Sequence, residues 1–491
     1  MNLEQQKKQA RELLRGLRAG DAAALLRLHR YHLRWGGADQ AAVGREVALH
    51  DAQFVLAREQ GFASWTKLKE YAEPSRHARH VRLFVADVAW IADRVRGLIR
   101  TRASAGPAAL EQIREWHPGF ADFTDQQILD APFSEEDARL VYAREHGFDT
   151  WAGLVNRVEV LAGKKDAAQE PFLAGFESLQ SGDLARLEAL LKAYPRIATE
   201  RGTNGNTLLN LAVSLATRGH PDAYHPISAL LQADAGVNEA NDRGWTPLHA
   251  AAYSNQAEVA ALLIRHGAAL DAEAHGAGGT PLVAALFWGH RAVADLIASH
   301  GVSPKNLRAA AGLGNEELVE SCFRDARTLL PEAGVARGFY RPHSGFPDWK
   351  PSSDPQEVLD EALVWACKSN RVNVLDRLLR AGARVHADPY RGTPLIWAAS
   401  CNRIEAAEWL LDHGADVNQK ATFGGLTHGQ GITAVHLAAQ NGHLPMVKFL
   451  VQRGACLSVK EDLYDSTPES AAAFFGQTAV RDYLRSQARI E

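Results

Sequence analysis

Residues 431–456 read GITAVHLAAQNGHLPMVKFLVQRGAC, and residues 244–268 read GWTPLHAAAYSNQAEVAALLIRHGA. Both run from a Gly to a Thr two residues on. A His among apolar residues, an Ala-Ala pair, a polar break, a second apolar run and a closing Gly-Ala follow. Thr246-Pro247 can open a helix, because Pro has no N–H to leave unsatisfied at the first helical position. The alanine pair lets two helices approach closely, and Leu262-Leu263 fill the space behind them.

The Gly that closes the second apolar run indexes further copies. Gly267, Gly301, Gly382, Gly414 and Gly454, with Asp234 in the equivalent place, are separated by 33, 34, 81, 32 and 40 residues. The T-P-L-H-x-A-A and L-L-x-x-G-A patterns resemble the ankyrin repeat, whose period is about 33 residues. The resemblance covers roughly residues 170–491. It implies about nine units, each a β-turn followed by two antiparallel helices, stacked on their neighbours. The fold class expected is all-α, an ankyrin-repeat α-solenoid with β-turn fingers, preceded by an all-helical N-terminal module.

That module, residues 1–162, carries a duplication. DAQFVLAREQGFASWTKL (51–68) aligns with DARLVYAREHGFDTWAGL (137–154) at an offset of 86 residues. Each copy predicts a helix ending at Gly61 or Gly147, an aromatic, an N-capping residue (Ser64; Asp149 or Thr150), and Trp65 or Trp151 at the next helix start. Phe62 and Phe148 read as hairpin core. RGLRAGDAAALL (15–26) and ESLQSGDLARLE (177–188) share Leu, Gly and Asp positions, so Asp21 is expected to cap a helix. Thr124 with Gln127, and Ser134 with Asp137, read as capping boxes. The module resembles the helical leader in front of some bacterial ankyrin proteins, a resemblance that names no activity. The polar segment 163–171 marks the boundary.

The departures from period are the informative part. NLRAAAGLGNEELVESCF (306–323) is a degenerate repeat without Thr-Pro. Residues 324–356 follow as an insertion with five prolines and Phe339, Tyr340, Phe346 and Trp349. Its aromatic content points to an ordered loop packed across the array rather than to disorder. The step of 40 marks an enlarged finger, KATFGGLTHGQG (420–431), flanked by ADPYRG (387–392) and EDLYDS (461–466). The last unit replaces the apolar residue after Pro468 with Glu469, as suits a C-terminal cap.

In ankyrin repeats the two residues after Ala-Ala face the concave groove. Here they include Tyr253, Phe287, Trp288, Lys368 and Ser369, and Phe474 and Phe475. Aromatics clustered in a groove are hot-spot chemistry. The competing reading has the insertion fold back and cover them. The binding residues expected are Tyr253, Phe287, Trp288, His343, Trp349, Tyr390, Arg391, Phe423, His428, Tyr464 and Asp465. Arg391 can hold a carboxylate or phosphate in a bidentate fork. His428 beside Asp462 or Asp465 is an acid–base pair on paper.

Other constellations read as structural. His249 and His436 are the repeat's own histidines, expected to satisfy turn backbone. His220, Asp222 and His225 lie close together, but Pro221 and Pro226 break helical geometry and deny them the spacing of a metal site. GAGG (276–279) is turn chemistry, and no phosphate loop or nucleophile elbow is present. No catalytic residue, metal or cofactor is assigned. Basic and acidic side chains number 54 and 58, a balance that argues against nucleic acid as a partner. Four dispersed cysteines, no apolar leader and no long apolar window point to a cytoplasmic protein off the membrane. The function expected is a non-enzymatic scaffold for a protein or peptide partner. The alternative is an enzyme or small-molecule receptor with a pocket between the 324–356 loop and the fingers at 388–391, 421–430 and 461–466.

Overall fold

The computed structural model describes residues 3–487 apart from 33–34, 36–39, 63, 73–82, 84–86, 104, 106, 163–169, 217–223, 275–276, 305, 341–350, 390–391 and 423–429. The chain forms two compact units, Met1–Pro247 and Leu248–Glu491. The fold is all-α. Among the described residues the strands are Ala421–Thr422 and Gln430–Ile432, which pair antiparallel and frame the enlarged finger.

The first unit follows its turn and cap signals. Gly20 takes φ 75°, and Asp21 accepts from Ala24 N at 2.8 Å to open the helix Ala22–Tyr31. Gly182 and Asp183 repeat the device, with Arg186 N donating at 2.9 Å. Both capping boxes form, at Thr124 with Gln127 and at Ser134 with Asp137. The duplicated hairpins consist of Leu49–Glu59 with Trp65–Ala72, and Glu135–Glu145 with Trp151–Ala162. Ser64 and Thr150 supply the second caps.

The two hairpins are packed on each other. Phe62 and Phe148 stack with centroids 4.7 Å apart, buried with Tyr71, Leu83 and Leu154. Close approach depends on Gly61, at φ 87°, because a Cβ there would lie 2.4 Å from the Gly153 carbonyl oxygen. No L side chain fits a contact of that length without backbone movement.

In the second unit helix pairs recur at the repeat spacing: Pro281–Phe287 with Arg291–Ala298, Leu307–Leu313 with Glu316–Ser321, Pro355–Lys368 with Leu375–Ala381, Pro394–Ser400 with Ile404–Asp412, Ala434–Gln440 with Leu444–Gln452, and Pro468–Phe474 with Thr478–Gln487. Thr280 and Thr393 cap their helices with Pro at the first helical position. The degenerate repeat keeps its cap by another residue, since Asn306 accepts from Ala309 N at 3.0 Å. The alanine pairs 284–285, 398–399 and 438–439 are fully buried. One hydrophobic core runs from Leu307 to Leu484.

The repeat histidines do reach turn backbone, but in the next repeat. His249 Nε2 meets the Gly279 carbonyl at 2.9 Å, and His436 Nε2 meets that of Ser466 at 3.0 Å. Burial pushes the His249 imidazole down to about 4 and lowers that of His436. Each is therefore a neutral structural strut at neutral pH.

Candidate functional site

The sequence places large aromatics at the ends of several inner helices, and the second unit gathers them. Phe287 is 4% exposed. It makes edge contacts with Trp288, Phe339, Trp365 and Trp397, at centroid distances of 5.0, 5.4, 6.3 and 6.1 Å. Trp365 and Trp397 stand three residues before Lys368 and Ser400, the groove positions of their own helices. Helical spacing puts such pairs on one face. Their sequence signal was this spacing: a Trp stands where other repeats have Ala250 or Ala284.

Lys368 sits among these rings. Its Nζ lies 4.5, 4.6 and 4.3 Å from the centroids of Phe287, Trp365 and Trp397, and the residue is fully buried. An ammonium within about 6 Å of a ring face is attracted by the ring quadrupole, most strongly where water is excluded. Beside it the Arg308 guanidinium covers Trp365 at 4.5 Å and donates to Glu361 at 3.2 Å. Arg337, from the insertion, donates to the other Glu361 oxygen and to Glu357. A buried carboxylate thus bridges two buried guanidiniums, and one of them belongs to the insertion.

The insertion is fastened along its described length. Residues Pro331–Gly334 and Gly338–Tyr340 form short 3-10 turns, and the next repeat helix starts at Pro355. Arg337 also donates to the Gly334 and Ser352 carbonyls, which closes the loop on itself. Gly338 N donates to Ala277 O at 3.0 Å. Gly278 permits this approach with φ 76°; a Cβ there would sit 2.1 Å from Ala336 O. Of the two readings of the groove aromatics, covering by the insertion holds for Phe287, which packs under Phe339. Tyr253 remains 38% exposed and meets Trp288 edge-on at 5.4 Å.

The other expected site residues divide into two groups. His343, Trp349, Tyr390, Arg391, Phe423 and His428 lie outside the described residues, as do His220 and Asp222. Tyr464 is exposed at a finger tip whose backbone is tied by Glu461, which accepts from the amides of Leu463, Tyr464 and Ser466. Asp465 pairs with Lys460 in its own turn, and Asp462 pairs with Lys420 at 2.5 Å. Both acids are thus engaged by lysines.

A cleft of about 480 Å³ opens between the end of the insertion and the 386–389 finger. Asp354, Glu357, Asp360, Asp388, Arg384 and His386 line it. Its carboxylates already hold the chain together. Asp360 accepts from Arg384 at 2.6 and 3.0 Å, Asp354 caps Gln356, and Glu357 accepts from Ser352. Asp388 accepts from Gly392 N and from Thr422 N and Oγ1, which ties adjacent fingers. Among the described residues no group of three or more His, Cys, Asp or Glu side chains is arranged to hold a metal ion. No described helix is long and apolar enough to cross a membrane.

Two family profiles match the chain. One, described as ankyrin repeats (3 copies), covers residues 176–274, 224–309 and 344–421; the other, ankyrin repeats (many copies), covers residues 395–451. No curated protein matches it.

Proposed function

Because the chain belongs to the ankyrin-repeat family over residues 176–309 and 344–451, a fold that generally mediates protein–protein contact, we propose that it is a binding scaffold for a protein or peptide partner. The observation that carries this reading is the Tyr253–Trp288 pair. Tyr253 is an exposed aromatic backed by a half-buried one, at the margin of a packed ring cluster. An aromatic held rigid by its neighbours contributes contact area at little entropic cost, the usual chemistry of a binding hot spot. The finger residues Tyr390, Arg391, Phe423, His428, Tyr464 and Asp465, with His343 and Trp349 of the insertion, extend this surface in the same reading. A helical module at 1–162 and a repeat array at 170–491 are its two working parts.

The test is affinity capture with the full chain and its Tyr253→Ala, Trp288→Ala and Arg391→Ala variants. Loss of a saturable partner in these variants supports the groove. An unchanged partner set overturns it.

The acidic cleft beside the insertion favours a second reading, a receptor or enzyme for a small cationic ligand. Four carboxylates line the cleft against one arginine and one histidine. Their engagement by the chain weighs against free acid–base groups there. A thermal-shift screen with polyamines and basic amino acids decides: no stabilisation ends this alternative.

A further inference from the structure

The two copies of the duplicated hairpin end their first helices on the same pair of positions. In the first copy these are Glu59 and Gln60; in the second they are Glu145 and His146. Glu59 is answered by a guanidinium: Arg27 donates from Nε and Nη2, both at 2.7 Å. Glu145 is answered by another carboxyl, that of Asp242, within hydrogen-bonding reach.

The surroundings make this contact unusual. Glu145 is 1% exposed. Asp242 uses Oδ1 to accept from Arg201 at 3.2 Å, while its Oδ2 is buried and receives no hydrogen bond from a donor among the described residues. Two ionised carboxylates in contact repel, the more so with Glu145 buried and Asp242 only 23% exposed, and a buried acceptor without a donor is costly. A proton on Glu145 relieves the repulsion, because the carboxylic O–H can then donate to the Asp242 carboxylate, which has an unused buried oxygen. The same residues join two parts of the first unit. Tyr142 donates to Asn204 Oδ1 at 3.2 Å, His146 Nε2 meets Thr203 Oγ1 at 3.0 Å, and Asp242 N donates to Asn204 O at 3.0 Å. The helix Glu135–Glu145 is thus docked on the turn 203–206 and the finger that carries Asp242.

We propose that this docking is a proton-gated clasp, in which Glu145 carries the proton that joins it to Asp242 and its ionisation releases the second hairpin from the first repeats. The charged and titratable groups around it are few. Helix Pro107–Trp116 contributes Glu111 near Asp242, with Gln112 donating to Glu145 at 3.1 Å. The docked helix contributes Tyr142 and His146, whose Nδ1 is 4.0 Å from the Glu145 carboxylate and donates to the Tyr142 carbonyl. Arg94 lies near Tyr142. The repeats contribute Arg201 and Arg243, and Arg201 is committed to Asp242 and to the carbonyls of Gly205 and Ala240.

Burial and the Asp242 charge hold the Glu145 carboxyl well above its ordinary 4.5. A group that binds its proton more tightly when docked favours docking fully below its free value. That advantage fades as pH rises from 4.5 through the raised docked value. The clasp is therefore closed in acid and loosened at higher pH.

The test is hydrogen exchange of the amides of 135–146 and 203–206 in the full chain at pH 5 and pH 8, corrected for the intrinsic pH dependence of exchange. Wild type should lose protection there by tenfold or more at pH 8. Glu145→Gln, which keeps a donor without a charge, should hold its pH 5 protection at pH 8, and Asp242→Asn should do the same by an independent route. Glu59→Gln should leave the pH dependence at 135–146 as in wild type. Equal protection of wild type at both pH values overturns the clasp. So does a pH dependence that survives in both Glu145→Gln and Asp242→Asn, which would place the titration on another group.

Discussion

His249 is a buried polar side chain tied down by the backbone of a neighbouring repeat, and its protonation follows from that. Its imidazole is neutral because burial outweighs the hydrogen bond to Gly279 O, and its proton affinity falls to about 4 from an ordinary 6.5. The folded state therefore binds fewer protons than the unfolded state between those values. The stability this histidine supports is present above about 6.5 and lost as pH falls towards 4, on the order of 3 kcal/mol. We expect acid unfolding of the second unit to begin below pH 6.5 and to be less steep in His249→Gln, checked by circular dichroism melts between pH 4 and 7. At the same scale, Phe287→Ala removes a ring buried among four others. We expect a loss of about 3–5 kcal/mol, measured by urea unfolding of the second unit. The sequence located Phe287 at the groove but left open whether it was covered. That depended on Phe339, 52 residues away, whose position no local pattern encodes.

Among elements, the insertion is the one most exposed to a single change. Its described turns are fastened through Arg337, which is fully buried and shares Glu361 with Arg308. Removing Arg337 leaves the buried Glu361 with Arg308 alone and one oxygen without its partner, at a cost of up to about 3–5 kcal/mol. Arg337→Ala should raise exchange rates over 331–340 and lower the thermal midpoint of the second unit. Arg337→Lys should recover only part of the loss, because an ammonium cannot fork to Glu357, Glu361 and two carbonyls together. Proline and aromatic content lead to the expectation of an ordered loop; the described turns 331–334 and 338–340 are packed, and residues 341–350 lie outside the described residues. The anchor was not legible, because Arg337, Arg308 and Glu361 belong to three segments with no shared motif. The repeats themselves were almost wholly legible, since Thr-Pro caps, alanine pairs and leucines at helical spacing are local rules. Even the degenerate repeat obeys them, with Asn306 as a substitute cap.

Across the whole molecule, the core is divided rather than single. Leu17 and Leu410 are both fully buried, in separate hydrophobic clusters. Each change to Ala is expected to cost about 2–5 kcal/mol. With no shared neighbours, their effects should add within about 0.5 kcal/mol in the double variant. Chemical denaturation followed by hydrogen exchange, which resolves the two clusters, checks this. A chain of linked local cores has no one residue on which everything rests, and repeat proteins share this property. The stacked Phe62 and Phe148 add a consequence of another kind. Each copy of the duplicated hairpin supplies the surface that the other needs to keep its aromatic ring dry. Neither copy can be deleted alone without stranding its twin, so the number of these hairpins can change only in pairs.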